Sequence, residues 1–493
     1  MPWILIATWA AAQPATEAPT STSSKQVAAE LDTVLEGPGE PWTVEQAIAR
    51  ALDTSPSVAR AADNVAAAAS ETDVARAAAL PRLNLRAQYT RLNDINNDPL
   101  VPLDFDVVAL NQAVDQVQDA SAQSVLRAQL DAQAGLADLR IPVVRDRYLL
   151  SAQISYPVTQ LFLEILPSIR ANGNAEEVRE HELEASRDVA ALSVVRAYFG
   201  HARARSAFAV SDLSVQRARD NLARAEARLE NAVGNRPDVL RFRARLAEAQ
   251  AERARLEADV VSSATAVRTL LHLEGEAALA FEEKLTQVPP RDEELLATGL
   301  EQAYAERSEM RALDALVKSR EASVSAAEGG RWPALSVAAG VDYARPNDLF
   351  VPQTEEFRTS YTISGILTWS PDQAWASSRR AKAAESVASS VRQQRTELAD
   401  RLRTEVVDAK ARYRAAFEVF AAAERGTAAA EEAYSARRKG YDLGLFDATS
   451  LIDSELDARR ARLAWIDAGA ALRTRRYELA FALGQIRAGG ARA

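Results

Sequence analysis

Four segments of about ten residues alternate between apolar and polar side chains, in a chain that otherwise reads as helix. After Pro81, Leu83, Leu85, Ala87 and Tyr89 alternate with Arg82, Asn84, Arg86, Gln88 and Thr90. Before Pro157, Leu150, Ala152, Ile154 and Tyr156 alternate with Leu149, Ser151, Gln153 and Ser155. After Pro333 the apolar set is Leu335, Val337, Ala339, Val341 and Tyr343. Before Pro371 it is Tyr361, Ile363, Gly365, Leu367 and Trp369. Successive strand side chains point to opposite faces, so each segment has one apolar and one wet face. That pattern fits strands crossing a bilayer, and it also fits two half-buried hairpins of a soluble sheet. The number of strands sharpens the choice. The smallest transmembrane barrels have about eight strands, so four cannot close one. An open sheet in lipid would leave edge N–H and C=O groups unsatisfied, at several kcal/mol each. If these strands lie in a membrane, several copies must share one barrel. The residues expected against lipid are Leu83, Leu85, Tyr89, Leu150, Ile154, Tyr156, Leu335, Val337, Val341, Ile363, Leu367 and Trp369.

The strands sit inside a duplication. Aligning Pro81 with Pro333 also superposes Ala51 on Ala303, Val65 on Val317 and Leu83 on Leu335. Each copy reads as a helix, then a strand, with a proline that cannot continue the helix at the boundary. A long helical stretch follows each time, from about Ala175 to Phe281 and from about Gln373 to Leu483. The expected organisation is a first repeat over 42–285, a second over 286–487 and a tail over 488–493. Trp3 to Ala12 resembles a secretory signal over residues 1–12, without the usual preceding Lys or Arg. Residues 13–41, rich in Pro, Thr, Ser, Ala and Glu, read as a linker. An insert from Pro99 to Arg145 separates the first two strands and reads as a helical excursion over Val107 to Leu139.

The helices carry a narrow seam. Val215, Ala218, Leu222, Ala225, Leu229 and Ala232 are spaced alternately by three and four. The same holds for Leu246, Ala249, Arg253, Leu256, Val260, Ser263, Val267 and Leu270, with Arg253 interrupting. Leu402, Val406, Ala409, Tyr413, Ala416, Phe420 and Ala423 repeat the pattern. Small alanine knobs allow close helix approach, and the crowded Arg, Glu, Asp and Gln between them read as a solvated face. A helix from Ala175 to Val233 would run roughly 90 Å at 1.5 Å per residue and must pack along its length. Gly234 suits a C-cap and Pro237 a first turn in the break between Asn231 and Leu240. Gly444 and then Asp447 or Thr449 do the same between Lys439 and Glu455.

Chemistry is harder to find. The chain has no cysteine, which excludes disulfides, thiolate metal sites and a cysteine nucleophile. A net charge of −10 argues against nucleic acid as the partner. No run of about 18 apolar residues occurs, so no transmembrane helix is expected. His181, His201 and His272 are scattered on charged helices and read as solvated. Glu177 and His181 lie one turn apart without further metal ligands. No phosphate-loop or dinucleotide fingerprint appears, and Gly329-Gly330 reads as a helix stop. No catalytic set, cofactor or metal site is expected.

Order and duplication together give a resemblance. "TVEQAIARALDTSPSV", "LPRLNL", "WPALSV", "NRPDVLRFRARLAEAQ" and "YDLGLFDATSLIDSELDARRARL" resemble the TolC-like outer-membrane efflux family from Trp42 to Gly484. The resemblance implies a mainly α chain with β structure: a long antiparallel α-helical barrel beneath a trimer-shared transmembrane β-barrel, four strands from each chain. It implies a homotrimer in the outer membrane of a Gram-negative bacterium, contacting its lipid and extending into the periplasm. A periplasmic adaptor (membrane fusion) protein and an inner-membrane pump would be its partners in tripartite efflux or type I secretion. On the family pattern Tyr441, Gly444 and Asp453 mark the periplasmic tunnel entrance. Ser450 and Phe446 replace acidic and polar residues expected there, and Asp442 and Asp447 lie close enough to supply charge. A periplasmic or surface coiled-coil protein is the alternative.

Overall fold

The computed structural model describes residues 41–93, 107–137, 144–274, 279–281, 284–351 and 353–487. The expected signal, nearly all of the linker, the tail and the ends of the insert lie outside them. The described residues divide into two units.

One unit comprises 69–174 and 317–390. It receives two helices of 22 residues each, α2 (Pro56–Ala77) and α9 (Ser308–Gly329), which lead into β2 (Arg82–Arg91) and β5 (Ala334–Arg345). The insert contributes α3 (Val107–Asp115) and α4 (Ala120–Ala137). With β3 (Asp146–Pro157) and β6 (Arg358–Thr368), the strands form one antiparallel sheet in the order β2-β3-β5-β6. The expected strands are therefore present, each bounded near its proline. Thr159 clamps two of those boundaries, with its hydroxyl donating to Pro333 O at 3.1 Å and accepting from Leu335 N at 2.7 Å. Trp369 corrects the expectation for the last strand. It lies one residue beyond β6, because its indole N–H turns to Arg331 O at 3.3 Å.

The other unit comprises the described parts of residues up to 68, 175–316 and 391 onward. A two-residue strand β1 (Pro41–Trp42) precedes α1 (Val44–Thr54), whose Thr43 and Gln46 form a reciprocal capping box. The 65-residue α5 (Leu166–Glu230) follows a helical turn, Val158–Gln160, and a π-helical turn, Leu161–Ile165, that belong to the sheet-bearing unit. Then come α6 (Arg236–Leu271), β4 (Ala280–Phe281), α7 (Glu293–Ala297) and α8 (Leu300–Glu306). The 72-residue α10 (Pro371–Asp442) and α11 (Ala448–Ala482) complete the chain. Tyr198 and Phe199 of α5, Tyr413 and Phe420 of α10, and Trp465 of α11 are fully buried in one core. Burying such side chains contributes about 1.5–3 kcal/mol each.

Most of the seam lies inward, from Val215 and Ala218 to Leu402, Val406 and Phe420. Leu229 is exposed and Ala232 falls beyond the end of α5. The helix expected to reach Phe281 stops at Leu271, where His272 adopts φ 48°. Ala280–Phe281 is instead a strand, paired in parallel with Pro41–Trp42. Among the described residues no helix is long and apolar enough to cross a membrane.

Candidate functional site

The strand register collects the alternating residues into two opposed faces. Leu83, Ile154, Ala339 and Ile363 form one rung, and Leu85, Ala152, Val341 and Tyr361 the next. Ala87, Leu150 and Tyr343, then Tyr156, Val337 and Gly365, and finally Leu335 with Leu367, complete the same face. Tyr89 is paired with Tyr148 at one end, their rings 5.0 Å apart. Every strand residue expected against lipid thus shares one face, whereas Trp369 stands outside the ladder. Leu85, Ile363 and Leu367 are at least 70% exposed, so the chain alone leaves this apolar face uncovered. The opposite face runs Arg82-Ser155-Ala338-Ser364, then Asn84-Gln153-Gly340-Thr362, then Arg86-Ser151-Asp342-Ser360. It is polar, with Leu149 and Ile366 as the large apolar exceptions. The sheet's outer edges, β2 and β6, each have one strand neighbour among the described residues.

A second candidate lies where the two long helix pairs turn. In the α5–α6 turn the left-handed residue is Ala232, at φ 57°, and not the expected Gly234. Gly234 serves another need: a Cβ there would come within 2.8 Å of Leu229 N. Asn235 caps α6 through Asp238 N at 2.9 Å, with Pro237 in its first turn. In the α10–α11 turn Gly444 does adopt φ 76°, and Asp447 caps α11 by accepting from Ser450 N at 2.9 Å. Gly440 leaves room for the Phe446 ring, which a Cβ would meet at 2.3 Å. Over that ring lies Arg437, 4.3 Å from its centroid, which also donates to Ser450 Oγ at 2.9 Å.

Guanidinium groups join the two turns. Arg228 donates to the carbonyl oxygens of Tyr441 and Asp442 at 2.6 and 2.9 Å and to Val233 O at 3.3 Å. It thereby satisfies carbonyls at the end of α10, where a cation also complements the helix dipole. Arg224 pairs with Asp442 at 3.4 Å, and Arg241 donates to Thr449 Oγ1 at 2.9 Å. Tyr441 is buried, edge-to-face with Phe242 at 5.6 Å, and burial pushes its phenol pKa up. Asp447 and Asp453 are exposed, and Asp453 has no ion pair among the described residues. Around them Leu443 and Leu445 are 76% and 72% exposed, with Val233 and Leu240 also open to solvent.

Charged residues deeper between the helix pairs are the main feature that the sequence did not disclose. Glu431 accepts from Arg217 Nη2 at 2.8 Å and forms an ion pair with Arg462, whose Nε lies 2.6 Å away, and both Glu431 and Arg462 are buried. Glu455 takes Arg245 Nε and Nη2 at 3.0 and 2.8 Å and the Ser214 hydroxyl, all buried. These residues were expected on a solvated face; four packed helices leave them none. The expectation for His201 is likewise corrected. It is buried against Ser263 Oγ at 2.8 Å, and desolvation with nearby Arg205 and Arg268 lowers its pKa to about 4. His181 stands 3.7 Å from Glu177, and no metal-binding group of three exists among the described residues.

Residues 299–485 match a family described as outer membrane efflux protein. Among solved structures, the outer-membrane channel OprN is similar at 18% identity and TM-score 0.68, with 90% of each chain covered. CusC is similar at 15% identity and TM-score 0.70, covering 90% of this chain and 92% of that one. VceC of Vibrio cholerae is similar at 16% identity and TM-score 0.69, covering 90% and 96%. At these identities the likeness establishes the fold. Among curated proteins, none matches the chain in sequence.

Proposed function

From the outer membrane efflux protein domain carried by residues 299–485, we propose that three copies of this chain form one outer-membrane duct. The observation that carries this reading is the sheet: one exposed apolar face, one polar face and two edges lacking a second neighbour among the described residues. Apolar exposure on that scale is costly in water and favourable in lipid, whereas open edges in lipid are forbidden. Closure with copies of itself resolves both. The apolar residues from Leu83 to Leu367 then face lipid, and the polar face lines the lumen. In this duct the helix turns form the periplasmic entrance, with Asp447 and Asp453 at its mouth. The exposed Leu443, Leu445, Val233 and Leu240 make those turns the docking point for a periplasmic adaptor that links the duct to an inner-membrane pump. The cargo is small molecules or, in type I secretion, polypeptides.

The size of the purified protein in mild detergent tests the reading. A trimer that requires detergent to stay soluble is expected. A monodisperse, folded, helix-rich monomer rules the duct out, and a detergent-independent species favours a periplasmic or surface coiled-coil protein.

A further inference from the structure

The polar face of the sheet has a sign opposite to that of the whole chain. The chain carries a net charge of −10, yet this face holds Arg82, Arg86, Arg147 and Arg358 against Asp342. Two of the four guanidiniums are answered locally. Arg147 pairs with Asp348, and Arg358 with Glu356 at 3.3 Å. Arg82 and Arg86 are exposed, and among the described residues neither has a carboxylate within ion-pairing distance. Asp342 shares a rung with Arg86 but lies two strands away, roughly 10 Å at the usual strand spacing. The groups between them on the inner rungs, from Asn84 and Gln153 to Ser155, Thr362 and Ser364, are uncharged.

We propose that Arg82 and Arg86 make the barrel lumen anion-favouring, so that the outer section of the duct selects for anionic cargo. The inference rests on the three-copy reading, which repeats both residues around one lumen. Salt screens charges beyond about 8 Å at physiological strength. In a lumen walled by low-dielectric lipid, however, like charges on every side focus the field on the permeating species. The direction is opposite to that of carboxylates at the helix turns.

A chain without cysteine allows a direct test. Gln153→Cys places a thiol on the polar face, on the rung between those of Arg82 and Arg86. The purified protein in lipid nanodiscs is treated with an anionic and a cationic methanethiosulfonate reagent, and the rate ratio is compared with that of a small free thiol. The anionic reagent is expected to be favoured by at least about threefold over that reference. Adding Arg82→Gln and Arg86→Gln should return the ratio to the reference. A ratio at or below the reference, or one indifferent to the double substitution, overturns the inference. Ile154→Cys on the opposite face separates this from failure of the duct itself. If Ile154→Cys reacts readily while Gln153→Cys is inert to both reagents, the faces are reversed and both readings fall.

Discussion

Arg228 lies over the ring of Tyr441, 5.0 Å from its centroid, and donates to the carbonyl oxygen of that same residue at 2.6 Å. One guanidinium thus holds the side chain and the backbone at the end of α10 while reaching Val233 O in its own turn. Arg228→Ala leaves those carbonyls to water and removes the stacked cation, a loss of about 1–3 kcal/mol local to the turns. Limited proteolysis should then cut between residues 439 and 447 faster, with the global melting temperature little changed. Unaltered cleavage would show that the two turns stay together without this contact.

The buried carboxylate Glu431 sits between Arg217 and Arg462. Glu431→Ala strands two guanidiniums, one of them fully buried, and should cost about 3–5 kcal/mol. Replacing Glu431 and Arg462 together by apolar residues of similar volume should cost less than the single change. Urea unfolding of the detergent-solubilised protein checks the order. If the single change is the milder one, the pair is not what holds these helices.

His201 provides a pH signature. Its pKa is about 4 in the folded chain against an ordinary 6.5, so the unfolded chain takes up the proton first as pH falls. Stability from this group is therefore fully present above about pH 6.5 and is lost as pH falls toward 4, by roughly 3 kcal/mol. His201→Gln should flatten the urea midpoint across that window. A slope that survives the substitution assigns the acid sensitivity to other groups.

The legible part of this fold is the part governed by local periodicity. Period two set Leu85 against Arg86 and Ile154 against Gln153, because successive side chains in a strand point to opposite faces. Asp447 as a cap and Gly444 as a stop were equally local. What stayed hidden depended on partners far along the chain. Glu431 and Glu455 look like surface residues on a two-sided helix and become buried only when a second helix pair covers them. Ala280 and Phe281 form a strand because Pro41 and Trp42 lie beside them, 239 residues away (280 − 41). The left-handed turn at Ala232 defeated the glycine rule because close approach to Leu229, and not positive φ, is what Gly234 serves.

The apolar face of the sheet admits a sharp test on adjacent rungs. Leu85→Arg or Ile154→Arg should hinder membrane assembly, at about 2–4 kcal/mol for a guanidinium near the bilayer midplane. Gln88→Arg and Ser364→Arg, on the polar face, should assemble nearly as the parent does. The amount of oligomer recovered from the membrane fraction is the readout. Equal behaviour of the two sets would mean that neither face meets lipid.

The entrance prediction turns on separating a charge from a cap. Asp447 accepts from Ser450 N, so its loss could act through the α11 terminus alone, at about 1 kcal/mol. Asparagine caps nearly as well as aspartate, so Asp447→Asn removes the charge and keeps the hydrogen bond, whereas Asp447→Ala removes both. Asp453 has no such duty, and Asp453→Asn is a change of charge only. At an open mouth, water and salt screen these carboxylates beyond about 8 Å, so folding should be almost indifferent to either asparagine variant. Permeation should not be: in the proposed three-copy duct, carboxylates repeated around one axis would attract cations and repel anions. In planar bilayers, Asp447→Asn with Asp453→Asn should lower the cation preference and the block by divalent cations, with trimer stability retained. Asp447→Ala should add a lower melting temperature and nothing further in selectivity. If the asparagine pair leaves selectivity unchanged, Asp447 is a helix cap and Asp453 a surface charge, and the entrance owes its preference to other groups.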